Sequence, residues 1–231
     1  MENLKDVFQN YKIDLSDKQS EQFESYFQTL VETNKVLNLT AITEEGDVLY
    51  KHFLDSILPH NFFKENSSLV DVGTGAGFPG IPLKIVRPDL NVTLVDSLNK
   101  RINFLNKTIE ILNLDKIFAI HSRAEDFAKQ NREKFDYVTA RAVAPLNTLA
   151  EYLLPLVKVG GYAVVYKSSK LEEELSQAKK AIDILGGKIE DIKKFEIVEK
   201  NLERNILIIK KIKPTPNKYP RDKNKARLSP L

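Results

Sequence analysis

An apolar run ending in an acid, Ser68-Leu-Val-Asp71-Val, passes directly into Gly73-Thr-Gly-Ala-Gly-Phe-Pro-Gly80 and then into Ile-Pro-Leu-Lys-Ile-Val. A short apolar run, four glycines in eight residues and an amphipathic stretch call for a strand, a tight loop and a helix, in that order. Such a loop has no bulky side chains between its backbone and a ligand. The glycines can take positive φ, and a helix start offers free N–H groups. The combination suits a nucleotide-like cofactor.

The same alternation continues along the chain. Strands are expected near 68–72, 91–95, 116–120, 135–140, 161–167, 189–197 and 205–212, and helices near 80–86, 98–112, 124–130, 146–157 and 170–185. Strand–helix alternation of this kind gives an α/β fold, a doubly wound parallel sheet with helices on both faces. No helix separates the last two strands, so they are expected to close the sheet as an antiparallel hairpin. That ending differs from the six-parallel-strand dinucleotide fold. Before the first strand, Ser16-Asp-Lys-Gln19 reads as a capping box. Phe23, Tyr26, Phe27, Leu30 and Val31 recur after it at helical spacing, and a second helix is expected from Asp47 to Leu58. The organisation expected is an N-terminal helical appendage over 1–66, a cofactor-binding domain over 67–213 and a basic tail over 214–231.

The chain has 231 residues, 42% hydrophobic and 29% charged, enough for a sizeable core. It contains no cysteine, which excludes a disulfide framework, a cysteine-ligated zinc site and a cysteine nucleophile. His52, His60 and His121 have no metal-like spacing and read as structural or exposed, so no metal is expected. The first residues lack the apolar core of a signal peptide, and no run approaches about 18 apolar residues. The expectation is a cytoplasmic monomer away from membranes. Residues 210–231 carry eight Lys/Arg and one Asp, while the whole chain sums to only +3. A basic tail on an acidic body reads either as a solvated terminus or as an arm for a polyanionic partner.

Ligands of open parallel sheets sit beyond the carboxyl ends of the strands. After the first strand, Gly75-Ala-Gly-Phe-Pro-Gly80 matches G-x-G-x-x-G, a weak signal alone. The same segment is also Asp71-x-Gly73-x-Gly75-x-Gly77, which fits S-adenosylmethionine (SAM), a cofactor without a pyrophosphate. After the second strand comes Asp96, placed to accept from ribose hydroxyls or to cap the next helix. After the third, Ser122-Arg-Ala-Glu-Asp126 offers Ala124 as a small seat for a purine and an acid for its amino group. It reads equally as an acidic helix start. After the fourth, Arg141 can hold a carboxylate, a phosphate or guanine O6/N7, or form a surface ion pair. The loop lacks the Asn/Asp-Pro-Pro-aromatic segment of amine methyltransferases. C5-pyrimidine methylation would need a thiolate. A ring nitrogen with its own lone pair, such as guanine N7, remains an acceptor that needs no base.

The runs Asn38-Leu-Thr-Ala-Ile42, His52-Phe-Leu-Asp-Ser56 and Asp71 through Pro82 resemble the bacterial 16S rRNA guanine-N7 methyltransferase family, also called small-subunit methyltransferase G or glucose-inhibited division protein B. Asp96-Ser-Leu-Asn-Lys-Arg101, Arg123-Ala-Glu125, Ala140-Arg-Ala142 and Lys218-Tyr-Pro-Arg221 extend the resemblance over nearly the whole chain. It implies a Rossmann-like SAM-dependent methyltransferase fold and methylation of one guanine in the decoding-region loop of 16S rRNA, on naked rRNA or a small-subunit precursor. It further implies that Gly73 and Phe78 contact the cofactor, that Ala124 and Glu125 lie at the adenine, and that Arg141 lies near the methionine or acceptor end. The ending Asp222 to Leu231 departs from the glycine-containing, proline-rich ending usual in the family. The alternatives carried are an NAD(P)-dependent oxidoreductase and a non-catalytic RNA-binding assembly protein. Lys218, Tyr219, Arg221, Lys223, Lys225 and Arg227 are the expected RNA contacts, with Tyr219 either stacking on a base or packing back on the domain. Removing 214–231 is expected to weaken RNA binding and spare SAM binding.

Overall fold

Successive apolar strands hydrogen-bond side by side, and each intervening amphipathic helix must bury its stripe on one face of the resulting sheet. The computed structural model describes residues 4–168, 171–222 and 224–231. It begins with α1 (Leu4–Asn10), α2 (Asp17–Leu37) and one helical run made of α3 (Glu45–Val48), a π-helical turn (Leu49–Leu54) and α4 (Asp55–Ile57). Then come β1 (Ser68–Val72), α5 (Gly80–Val86), β2 (Asn91–Asp96), α6 (Asn99–Ile111), β3 (Ile117–His121), α7 (Ala124–Gln130) and β4 (Phe135–Arg141). The chain ends with α8 (Leu146–Leu153), β5 (Val157–Lys167), α9 (Leu171–Ile184), β6 (Gly187–Ile197), β7 (Leu202–Lys211) and the short α10 (Lys225–Leu228). The sheet order is β3-β2-β1-β4-β5-β7-β6. β1 to β5 run parallel, while β7 pairs antiparallel with both β5 and β6. The parallel sheet and terminal hairpin therefore form as the alternation requires. Among the described residues no helix is long and apolar enough to cross a membrane.

Two apolar clusters cover the two faces, and they correct the expected boundaries. On one face Phe8, Phe23, Tyr26 and Phe53 pack with Leu69, Ile81 and Leu94, so the helices between Leu4 and Phe62 share the sheet's core and do not stand apart from it. The capping box forms at Ser16, whose hydroxyl accepts the Gln19 N–H at 3.3 Å while Gln19 accepts the Ser16 N–H at 2.9 Å. Gln19 also donates to the Ile85 carbonyl at 2.8 Å, which ties α2 to the end of α5. On the other face Val70, Val138, Leu149 and Ile182 pack with Tyr219 and Ala226, so residues 214–231 are not a free tail. The helix expected from Asp47 to Leu58 is not uniform: its middle widens into the π-helical turn.

Candidate active site

The chain leaves β1 for one side of the sheet and β4 for the other, and the crevice between those two ends is where a ligand of this fold sits. The glycine loop at its base is wired internally. Gly73 and Thr74 N–H donate to the Val95 carbonyl at 2.8 and 3.1 Å, and Gly77 and Phe78 N–H to that of Thr74 at 3.0 and 2.9 Å. Gly75 N–H donates to Asp96 Oδ2 at 3.0 Å, and Gly80 N–H to Asp71 Oδ2 at 2.9 Å. At Gly73, φ is +71° and an added Cβ would lie 2.7 Å from Val143, so glycine is needed for the β4 loop to close over it. Tyr26 buttresses the loop from α2, donating to the Ala76 carbonyl at 2.5 Å.

This wiring decides between cofactors. Six of the loop's N–H groups are already bonded, two of them to carboxylates, so a pyrophosphate would find few donors and two acids. SAM carries no phosphate and has a cationic sulfonium, which acids favour. The donor set therefore fits SAM and not a dinucleotide.

A cavity of about 540 Å³ opens beside the loop, lined by Gly73, Asp96, Leu98, Ala124, Glu125 and Val143 among others. Asp96, 2% exposed, accepts from Gly75 N–H through Oδ2 and from Leu98 N–H through Oδ1 at 2.9 Å, and it pairs with Arg101 at 3.1 Å. It thus fastens both the glycine loop and the entry to α6 while lining the cavity. Glu125 is buried in the first turn of α7 beside Ala124. Together they offer two carboxylate acceptors and an apolar seat in one space, a match for a nucleoside. Asp71, Gly77 and Phe78 are buried behind this wall, while Gly75 is half-buried with open space where a Cβ would stand. Asp71 is fully buried, accepting from Thr74 Oγ1 at 2.6 Å, while its Oδ1 has no partner. Burial raises its pKa to about 6, against the pull of Thr74, Gly80 and Arg141. The Phe78 ring is buried among Tyr26, Phe53 and His52, with the Arg141 guanidinium 5.0 Å above it. The Phe78 ring thus supports the loop from within the core, which leaves its backbone as the part facing the crevice for the cofactor contact that the resemblance implies.

A second cavity of about 460 Å³ shares Ala142 with the first. Its centre is Asp55, 3% exposed, which receives Arg141 NH1 at 2.8 Å and Arg204 Nε at 2.8 Å. Arg141 also donates to the Lys51 carbonyl at 3.1 Å and to His52 Nδ1 at 3.2 Å. Nδ1 lies at the same 3.2 Å from the Lys51 carbonyl, and Nε2 is hydrogen-bonded to Thr40 Oγ1 at 2.9 Å, so both ring nitrogens are engaged. Burial, reinforced by Arg141, lowers the His52 pKa to about 3, so the ring is neutral at physiological pH. Lys167, paired with Glu174 at 2.6 Å, and Tyr166 complete the lining. Sequence reasoning gave no role to Thr40, Asp55 or Arg204. Their only signal was membership of the Asn38–Ile42 and His52–Ser56 runs, and Arg204 had none.

The C-terminal residues depart most from expectation. Tyr219 is buried, so it packs back on the domain. Arg221 forms a two-pronged pair with buried Glu151, at 2.9 Å from Nε and 2.7 Å from NH2. Lys218 lies 5.3 Å over the Tyr219 ring, and Lys225 is exposed on α10. Lys223 lies outside the described residues. Arg227, with Asn224, lines the first cavity. A deletion of 214–231 would therefore remove Asn224 and Arg227 from the wall of the first cavity and Tyr219 and Ala226 from the core.

Comparisons agree with this architecture. The family described as "GidB: rRNA small subunit methyltransferase G" matches residues 19–206. The chain is 50% identical over 228 residues to "Ribosomal RNA small subunit methyltransferase G" of Lactobacillus johnsonii, covering 96% of this chain and 95% of that protein. It is 52% identical over 223 residues to the protein of that name from Lachnoclostridium phytofermentans, covering 95% and 92%. Among solved structures, M. jannaschii TYW2 in complex with AdoMet superimposes with a TM-score of 0.58 at 16% identity, over 73% of this chain and 78% of that one. A SAM-dependent methyltransferase from Aquifex aeolicus gives 0.54 at 17% identity, over 74% and 96%; at such identities these two speak to the fold. With a family match over most of the chain and half of all residues identical to curated relatives, the chain belongs to the rRNA small subunit methyltransferase G family.

Proposed function

We propose that this protein transfers a methyl group from SAM to N7 of a guanine in the decoding-region loop of 16S rRNA, acting in the cytoplasm as a monomer. The observation that carries the reading is the pair of cavities meeting at Ala142: one built for a nucleoside, the other lined by Arg141, Arg204, Lys51 and Lys167 and suited to a nucleotide of a polyanion. Bound SAM would supply a methyl group on a sulfonium, reactive toward a nitrogen lone pair. Asp96 would hold the ribose and Glu125 with Ala124 the adenine. Val143, closed over Gly73, would exclude water where the two cavities meet.

Guanine N7 carries no proton, so alignment is the main task of the second cavity. Arg141 is fixed by Asp55, Lys51 and His52, which holds its charge at the cavity mouth for guanine O6 or a phosphate. His52 has both nitrogens engaged and stays neutral, and so is not placed as a general base. Exposed Lys218 and Lys225 would meet RNA phosphates outside the cavities. The test is mapping of N7-methylguanosine in 16S rRNA from cells with and without the gene, with tritium transfer from labelled SAM by the purified protein. Loss of one modified guanine with the gene, restored by the protein, is expected. Unchanged modification and no transfer would leave the RNA-binding assembly role instead.

A further inference from the structure

The C-terminal segment reaches the first cavity by a built route. Thr215 N–H donates to Glu133 at 2.7 Å, Thr215 Oγ1 to the Leu185 carbonyl at 2.7 Å, and buried Lys211 to Thr215 Oγ1 at 2.6 Å. Arg132 donates to the carbonyls of Thr215, at 2.7 Å, and of Tyr219. Arg221 is then gripped by Glu151 through its side chain and, at 2.7 Å, through its own N–H. Beyond it Lys129 pairs with Asp222, and Thr148 Oγ1 donates to the carbonyl of buried Ala226 at 3.1 Å. Asn224 takes φ +58° and turns the chain into α10. The result is that Arg227 stands at a cavity that also holds Asp96, Ala124 and Glu125.

Of the arginines around this segment, Arg101 pairs with Asp96, Arg132 with two carbonyls and Arg221 with Glu151, whereas Arg227 and, at the start of α7, Arg123 line the cavity with no side-chain partner among the described residues. The exposed guanidinium of Arg227 forms no hydrogen bond or ion pair among the described residues. A planar, permanently charged group left unpaired beside a purine seat can stack on the base and donate to its ring nitrogens or to the ribose.

We infer that Arg227 is a cofactor-binding residue, with the C-terminal segment supplying the wall of the SAM pocket that closes on the nucleoside end. The inference rests on the reading of the first cavity as the SAM site. The cavity position favours the cofactor over RNA, because Arg227 shares a space with the two acids that would hold the nucleoside, apart from the cation-rich second cavity.

The test is calorimetric titration of the full-length protein and of Arg227→Ala and Arg227→Lys with S-adenosylhomocysteine and with methylthioadenosine, which lacks the amino-acid end. Arg227→Ala is expected to weaken both ligands by the same factor, about tenfold. Arg227→Lys should recover only part of that, since lysine keeps the charge and loses the planar fork. S-adenosylhomocysteine should also slow tryptic cleavage after exposed Lys225 and Arg227. Affinity for a 16S rRNA fragment should be unchanged. Ligand affinities within twofold of the native protein, or a loss confined to RNA binding, would overturn the inference. A native protein that binds neither nucleoside would overturn the SAM reading itself and the inference with it.

Discussion

The two cavities sit side by side at the same end of the sheet and are made in opposite ways. The first is assembled mainly from short segments at strand ends, with the glycine loop after β1, Asp96 at the end of β2 and Ala124 and Glu125 opening α7, and only Asn224 and Arg227 come from far along the chain. The second is held together by side chains that reach across the chain, with Arg141 and Arg204 meeting Asp55 over separations of 86 and 149 residues. A cavity made of backbone turns forms once its strands pair. One made of a shared buried carboxylate exists only when three distant segments arrive together. Damage to the second should therefore register in folding, and damage to the first in binding.

The hardest test of that contrast is Asp55→Ala. It leaves two largely buried guanidinium groups without their counter-charge, and stability should fall by roughly 3–5 kcal/mol in urea denaturation. A loss under about 1 kcal/mol, the scale of an exposed pair, would mean that the cluster does not hold the second cavity together.

The pH dependence of stability should split the two regions by sign. His52 is held neutral down to about 3, against an ordinary value of 6.5, so its contribution is complete above 6.5 and is lost as pH falls toward 3. Asp71 is held protonated up to about 6, against 3.8, so its contribution is complete below 3.8 and is lost as pH rises through about 6. Between pH 4 and 7 each should change stability by on the order of 2–3 kcal/mol, in opposite directions. His52→Gln should make the remaining profile fall with rising pH, and Asp71→Asn should make it rise. Parallel profiles for the two variants would refute the assignment.

Smaller in scale, Asp96→Ala should weaken S-adenosylhomocysteine binding by about 1.5–3 kcal/mol in calorimetry, as a charged acceptor is lost. A change below about 0.5 kcal/mol would make Asp96 a fastener of Gly75 and Leu98 and nothing more. The smallest effect expected is none. Single-turnover methyl transfer should be nearly flat from about pH 6 to 9, since N7 has no proton to give up and His52 does not titrate there. A limb near neutrality with the RNA structure intact would point to a base that this arrangement lacks.

The same contrast explains what the amino-acid order made legible. The first cavity is written in short motifs, because a tight turn after a strand and an acid at the next strand's end are local requirements. The strand–helix alternation is local too, and the hairpin followed from one missing helix. Even within that cavity the sequence could not separate residues that line it from those behind it. Phe78 and Asp71 belong to the motif yet serve the loop from beneath, a matter of side-chain direction that spacing does not encode. The second cavity, the docking of Arg221 on Glu151 and the approach of Arg227 to Glu125's cavity depend on partners 70 or more residues apart. A run of lysines and arginines after the last strand looks like a solvated arm until a buried glutamate is known to face it.

The π-helical turn over Leu49–Leu54 gives the helix one more residue in that turn than regular α-helical winding would have. Asp55 follows it directly, and the Lys51 carbonyl within it is free to receive Arg141. The length of this segment is thereby coupled to the hydrogen bonds that fix Arg141. Deleting a single residue there would let the helix return to ordinary winding and close the wide turn that presents the Lys51 carbonyl to Arg141. Side-chain changes at buried Leu49, Phe53 and Leu54 would act on the core, whereas a change in count would act on the Arg141 anchor. The segment behaves as a ruler whose count, as well as its letters, is fixed by what it must reach.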